Sequence, residues 1–308
     1  MTEAARGTGR PARALLLVLL AVVSSGAAPV APAEAQSPPA RCEPSPARTA
    51  TRVGVATVFV GGNLALYEYF RRAWWSGERS SGIWINWERH EPFRQQDKLG
   101  HALGGYHLAR VSDGLLRVAC VSPTKATLYG AAYATAFQLQ IELWDGLQKK
   151  YGFSPPDLVA NALGAGLHVA QVRRPSLRVV KPTVSYARTA ALKRAPPGAE
   201  LRPTIDYSGQ TYWLSFDVDS MLPPPARRYW PGLVRLSVGH SITDWVDPAT
   251  QQTQRARRRL LLSLDLDPEK LPGTHRLWRP VKRQLAYYHF PAPALQLAPG
   301  LTGIAWHR

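Results

Sequence analysis

Two periodicities divide the chain. From about residue 51 to 175 apolar positions recur at helical spacing, and after about 180 they alternate. Four helices are predicted in the first region. One runs from Val53 to about Trp75. A second starts near Asp97 and stops in "SDG", with Gly114 as the stop. A third starts in "SPTK", with Ser122 as cap and Pro123 in the first turn, and ends in "KKYG" at Gly152. A fourth starts in "SPPD", with Ser154 as cap, and fades near Arg173. In the second region "TYWLSFDVD", "LVRLSVGH", "RLLLSLDLD", "QLAYYHF" and "ALQLAPGLTGIAW" read as strands broken by Pro and Gly. Five to seven strands fit, enough for a small antiparallel sheet or sandwich and short of the roughly eight of the smallest outer-membrane barrels. The fold class expected is α+β: an N-terminal helical bundle of about four helices, then a β-rich antiparallel C-terminal region.

The longest uncharged helical runs, 53–67, 126–141 and 158–172, are 15 to 16 residues each. An ordinary bilayer crossing takes about 20. These segments therefore read as core helices of a bundle, or as helices that lie in or dip into a membrane face.

The N-terminus has a different logic. "MTEAARGTGRPAR" is basic, "ALLLVLLAVV" is a short apolar core, and "APAEAQ" offers a cleavage site after Ala35. Residues 1–36 are read as a secretory signal peptide. Residues 37–50 follow as a linker rich in Pro, Ser and Ala. Residues 51–175 form the helical domain and 181–308 the β-rich extension. The protein is thus expected to be exported, to the periplasm or to an outer-membrane-associated site.

Export changes the meaning of the charge. The whole chain carries +17, and losing three Arg and two Glu with residues 1–36 leaves about +16. In a cytosolic protein that excess would point to nucleic acid. Behind a signal peptide, and without a nucleic-acid motif, the partners expected are anionic lipid or envelope glycan. No protein partner is specified. The ten Trp and twelve Tyr suit a packed interior or a surface meeting a membrane interface or a sugar. Of the two cysteines, Cys120 lies in an apolar stretch and Cys42 in a Pro-rich one. The periplasm permits them to pair, and a buried free thiol at Cys120 is weighted at least equally. "PPAR" before Cys42 is not the small-residue context of a lipid-modified cysteine.

Candidate chemistry concentrates on the helices. Asp97 and His101 are spaced i,i+4, Glu142 and Asp145 i,i+3, and Asp157 and Asn161 i,i+4. Each spacing puts both members on one helix face, and small or apolar neighbours let the three faces converge on one polar centre that also holds Lys98. Carboxylates and a neutral imidazole can take a divalent metal, with Asp97, His101, Glu142 and Asp145 as candidate ligands. Without metal, His101, Asp97 and Glu142 are the candidate acid–base groups. The structural alternative is a satisfied network that fixes helix register, with Asp157 serving its helix N-terminus. His107 and His168 read as core or surface histidines. The chain has no G-x-S-x-G, H-E-x-x-H, P-loop or C-x-x-C, which removes the corresponding enzyme and redox classes.

Taken together, "WINWERHEPFRQQDKLGHALGGYHLAR" and "ELWDGLQKKYGFSPPDLVANALGAGLH" resemble the YfiM-like family of predicted periplasmic lipoproteins, a domain of unknown function. The matching pattern is D-K-x-x-H, E-x-x-D-G and G-F-S-x-x-D-x-x-x-N-x-x-G. It falls on Asp97, Lys98, His101, Glu142, Asp145, Gly146, Gly152, Phe153, Ser154, Asp157, Asn161 and Gly164. The order of motifs is more distantly similar to VanZ-like membrane proteins, which implies helices associated with a bilayer. The family implies an envelope location and no reaction. The function expected is a non-catalytic envelope maintenance or scaffold module, membrane-associated, built on a buried polar helix cluster. The alternative is a metal- or His-dependent hydrolase of an envelope lipid or glycan.

Overall fold

The computed structural model describes residue 42 and residues 45–75, 77–88, 94–193, 203–243 and 256–307. The signal peptide expected at 1–36 lies outside these residues. Four long helices come first: α1 (Pro46–Ala73), α2 (Gln96–Val118), α3 (Pro123–Asp145) and α4 (Pro155–Arg173). Six strands follow: β1 (Val180–Tyr186), β2 (Gln210–Phe216), β3 (Val234–Thr243), β4 (Arg257–Leu266), β5 (Ala292–Ala298) and β6 (Thr302–His307). They form one antiparallel sheet in chain order. A short helix, α5 (Trp278–Leu285), lies between β4 and β5. The fold is α+β, helices first.

Several boundaries differ from the sequence expectation. Helix α1 starts at Pro46, inside the Pro-rich stretch, because the Ser45 side chain accepts from the Arg48 amide and proline fits a first turn. Gly114 does not stop α2, which runs on to Val118. A single glycine costs a helix only about 1 kcal/mol, which packing overrides. Helix α3 ends at Asp145, before Gly152, and Ser122 makes no capping bond. Gly152 instead takes a positive φ in the turn into α4. "QLAYYHF" is not a strand. It ends α5 and turns, meeting β1 in an isolated bridge of Tyr288 with Val184 rather than in a ladder.

Small residues govern how the helices meet. Ala109, Ala134 and Ala165 form the centre of the bundle. A Cβ on Gly164 would come 1.9 Å from the Ala102 carbonyl oxygen, and one on Gly105 2.3 Å from that of Asn161. Helices α2 and α4 therefore touch backbone to backbone, which only glycine permits. Helix α1 lies on this trio through aromatic contacts, with ring centroids 4.8 Å apart for Phe59 and Tyr133 and 5.4 Å for Tyr67 and Trp144. It is also tied covalently. Cys42 and Cys120 form a disulfide, with Cα atoms 5.6 Å apart, so the free thiol weighed for Cys120 is corrected. Cys120 turns out to lie at the α2–α3 turn with positive φ, not in an apolar interior.

Burial is inverted relative to the usual soluble pattern. The bundle buries Gln96, Asp113, Glu142, Asp157, Asn161 and His168, while Val60, Leu64 and Leu163 are more than 60 % exposed. The sheet does the same. Its inward positions carry Thr183, Ser215, Arg235, Ser237, Ser263 and Asp265 beside the buried Trp213, Ile242 and Leu261, whereas Leu214 and Leu264 face out at 45 % and 47 % exposure. The buried Arg235 donates through its two terminal nitrogens to Asp265 and to the carbonyls of Ala286 and Leu266, so the charge has its counter-ion while Nε stays without a partner.

A candidate polar centre at the head of the bundle

Antiparallel packing brings the start of α2, the end of α3 and the start of α4 to one end of the bundle. The i,i+4 pair of α2 and that of α4 meet there. His101 Nδ1 lies 3.0 Å from Asn161 Oδ1, so Nδ1 carries the hydrogen and donates. His101 Nε2 then sits 3.7 Å from both Asp97 Oδ2 and Asp157 Oδ1, and Glu142 Oε1 is 3.8 Å from Nδ1. Lys98 Nζ reaches Asp157 Oδ1 at 2.7 Å and Asp97 Oδ2 at 3.2 Å, and pairs with Glu88.

Two other elements complete the shell. The segment before α2 is held across the α3–α4 turn by backbone bonds, among them Asn86 N to Phe153 O and Phe153 N to Trp84 O, both 2.8 Å. It delivers Glu88, which accepts from Ser154 Oγ at 2.9 Å. Ser154 caps α4 by accepting from the Asp157 amide, and its own amide donates to Glu142 Oε2 at 3.2 Å. From the sheet side, Tyr207 donates to Asp97 Oδ1 at 3.0 Å. Asp145 turns aside and accepts from Trp75 Nε1 at 2.6 Å, tying the end of α1 to α3. Thus Asp97, Lys98, His101, Glu142, Asp157 and Asn161 converge, while Asp145 serves the rim. Glu88 and Tyr207 were not apparent as members from the sequence.

Charge and burial set the protonation states. Burial opposes charge on His101, but the carboxylates of Asp97, Asp157 and Glu142 outweigh it and raise its pKa. Burial likewise opposes ionisation of Asp97, yet His101, Lys98 and the Tyr207 hydroxyl hold its pKa down. Burial dominates at Glu142, pushed up to about 8, and at Asp157 and Asp145, each pushed up to about 6. These shifts favour charge on His101 and on Asp97, and the neutral acid at Glu142. Stabilising the imidazolium makes the neutral imidazole, the form a general base needs, less available.

The donor set was also tested against a metal. Ligand atoms of Asp97, His101 and Asp157 lie within 4.8 Å of one another, and two carboxylates with an imidazole are chemically apt. The position between the two carboxylates, however, is already held by the Lys98 ammonium. A divalent ion there would face that cation at contact distance, so the residues as folded do not fit one.

The head of the bundle is also where the sequence meets known proteins. Residues 90–172 match the family described as predicted periplasmic lipoprotein (DUF2279). The family match spans α2 to α4 and so includes every motif residue of the centre except Glu88 and Tyr207. A periplasmic location goes with it. No curated protein and no solved structure matches the chain.

Proposed function

We propose that this protein is a non-catalytic envelope module seated in the periplasmic surface of a lipid bilayer, with the DUF2279 bundle locked by its polar centre. The observation that carries the reading is that both halves expose large apolar side chains over interiors rich in polar ones. Water favours apolar residues inside, whereas lipid favours polar side chains turned inward and small residues between helices. Helix α1 is the extreme case: 28 residues, apolar enough for a membrane helix, and only 6 % of its most apolar window buried within the protein. An exposed apolar surface of this extent marks an interaction site. Basic side chains at its two ends, Arg48 and Arg52 at one and Arg71 and Arg72 at the other, suit headgroups.

The disulfide sharpens this reading. Both cysteines of the chain are in the Cys42–Cys120 bond, so neither offers a sulfur for a lipid thioether. Lipid contact would rest on α1 and the outer faces instead. Within the centre, Lys98 joins the carboxylates of α2 and α4 to Glu88, which is the work of a structural lock.

A hydrolytic reading has one observation in its favour. His101 keeps about 23 % of its side chain exposed, and the buried Glu142 Oε1 and Asn161 Nδ2 have no hydrogen-bond partner. Cell fractionation tests the leading reading: the protein should stay with membranes through a high-salt wash and come off in detergent. Release by osmotic shock as a soluble protein would contradict it.

A further inference from the structure

At the tail of the bundle, away from the polar centre, lies a cavity of about 740 Å³ between the ends of α2 and α4, the start of α3 and the sheet side. Its size is that of a small-molecule site. Five cations line it, Arg110, Arg117, Arg173, Arg178 and Lys181, against two carboxylates, Asp113 and Glu269. Both acids are taken. Asp113 accepts from Arg117 Nε at 2.7 Å and lies 3.0 Å from His168 Nε2, and Glu269 pairs with Lys181. Arg110, Arg173 and Arg178 have no carboxylate partner among the described residues.

Cations near helix C-termini are common because they suit the helix dipole, so their presence alone means little. Arg110 supplies the separate observation. Its guanidinium lies 4.2 Å over the Tyr287 ring and donates to Gln284 Oε1 at 2.7 Å, yet its Nε is buried without a partner. A buried N–H with no acceptor costs free energy, so this guanidinium reaches the cavity wall with its hydrogen-bonding capacity unsaturated. The rest of the wall mixes polar groups such as Thr127 and Gln171 with Tyr106, Leu128, Val172, Val180 and Tyr287. Leu128 is also exposed on the outer face of α3, so the apolar wall continues towards the surface assigned to lipid.

We propose that this cavity binds the phosphate of an anionic lipid headgroup, with Arg110, Arg173 and Arg178 as its donors and the Leu128 side receiving the start of the chains. The inference rests on the bilayer-seat reading and names the lipid class it prefers. Guanidinium forks match phosphate oxygens in geometry as well as charge.

The test compares vesicle binding of the full mature chain to phosphatidylcholine alone and to phosphatidylcholine with phosphatidylglycerol. The anionic vesicles should bind about tenfold more tightly. Arg173→Gln/Arg178→Gln should lose most of that preference and keep neutral-vesicle binding. A control of equal charge, Arg279→Gln/Arg283→Gln on exposed positions of α5, should keep it. An unchanged preference in the cavity variant, or equal loss in both, would overturn the proposal by assigning the effect to diffuse charge. Inorganic phosphate competing at the headgroup concentration would overturn the lipid assignment and leave a free-anion site. Failure on both vesicle types breaks the bilayer seat; soluble short-chain phosphatidylglycerol then decides the cavity, supporting it if bound by wild type and lost in the cavity variant, and overturning it otherwise.

Discussion

The two ends of the helical bundle are built from the same three helices and have opposite chemistry. At the head, Asp97, Glu142, Asp157 and Glu88 crowd around Lys98 and His101, and these two internal cations offset much of what the carboxylates bring. At the tail, Asp113 is the one acid contributed by the three helices, and three arginines are left without a carboxylate among the described residues. The first end pairs its cations with its own carboxylates, and the second is short of negative charge. Internal ion pairs serve folding, whereas cations without a carboxylate are a place for a ligand.

The strongest break in that comparison is at the head. Lys98→Met leaves the carboxylates of Asp97, Asp157 and Glu88 without their ammonium, and should cost about 3 kcal/mol or more of stability by denaturant melts. Next comes the contact that holds the two ends in line. Gly164→Ala pushes a methyl into the Ala102 carbonyl and should cost ~2 kcal/mol, read in the same melts, through separation of α2 and α4.

A smaller effect is read in pH. Glu142 has its folded pKa raised to about 8 by burial, so the unfolded chain gives up this proton first as pH rises. Stability should fall between the ordinary carboxylate range and pH 8. The raised His101 adds to the loss above its own unfolded pKa, since its stabilisation is full below that value. Lowered Asp97 acts oppositely, and its contribution is lost only on strong acidification. Glu142→Gln should flatten the decline, and a thermal-melt series showing the wild-type slope in the variant would contradict the assignment. The smallest stability effect belongs to the tail: Arg173→Gln/Arg178→Gln should stay within about 0.5 kcal/mol of wild type, because both side chains are exposed.

How much of this was legible in the sequence follows from locality. The pairs Asp97/His101 and Asp157/Asn161 were readable because a helix fixes i and i+4 on one face, and glycines nearby marked close approach. Glu88 was not, since it arrives on an irregular strap defined by backbone bonds to Phe153. Tyr207 comes from 110 residues away. The tail had a signal that went unused: Asp113 and Arg117 are themselves an i,i+4 pair, with His168 on a facing helix. Alternation located β2, β3 and β4, but period two shows that a strand has two faces and not which one is inside. In "RLLLSLDLD" it is Ser263 and Asp265 that point inward together with Leu261. "QLAYYHF" misled because alternation over a few residues also fits a helix end, here fixed by Lys282 donating to the Leu271 and Gly273 carbonyls. The disulfide depended on α1 folding back along the bundle, which joins residues 78 apart.

The central claim is that lipid, not water, is the medium of the outer faces. Flotation of the mature protein with neutral phosphatidylcholine vesicles at high salt tests it most directly, beside Val60→Lys/Leu64→Lys on the exposed face of α1. The account predicts that wild type floats with the vesicles and the variant stays folded and at the bottom of the gradient. Wild type remaining at the bottom as a monodisperse soluble protein would contradict it.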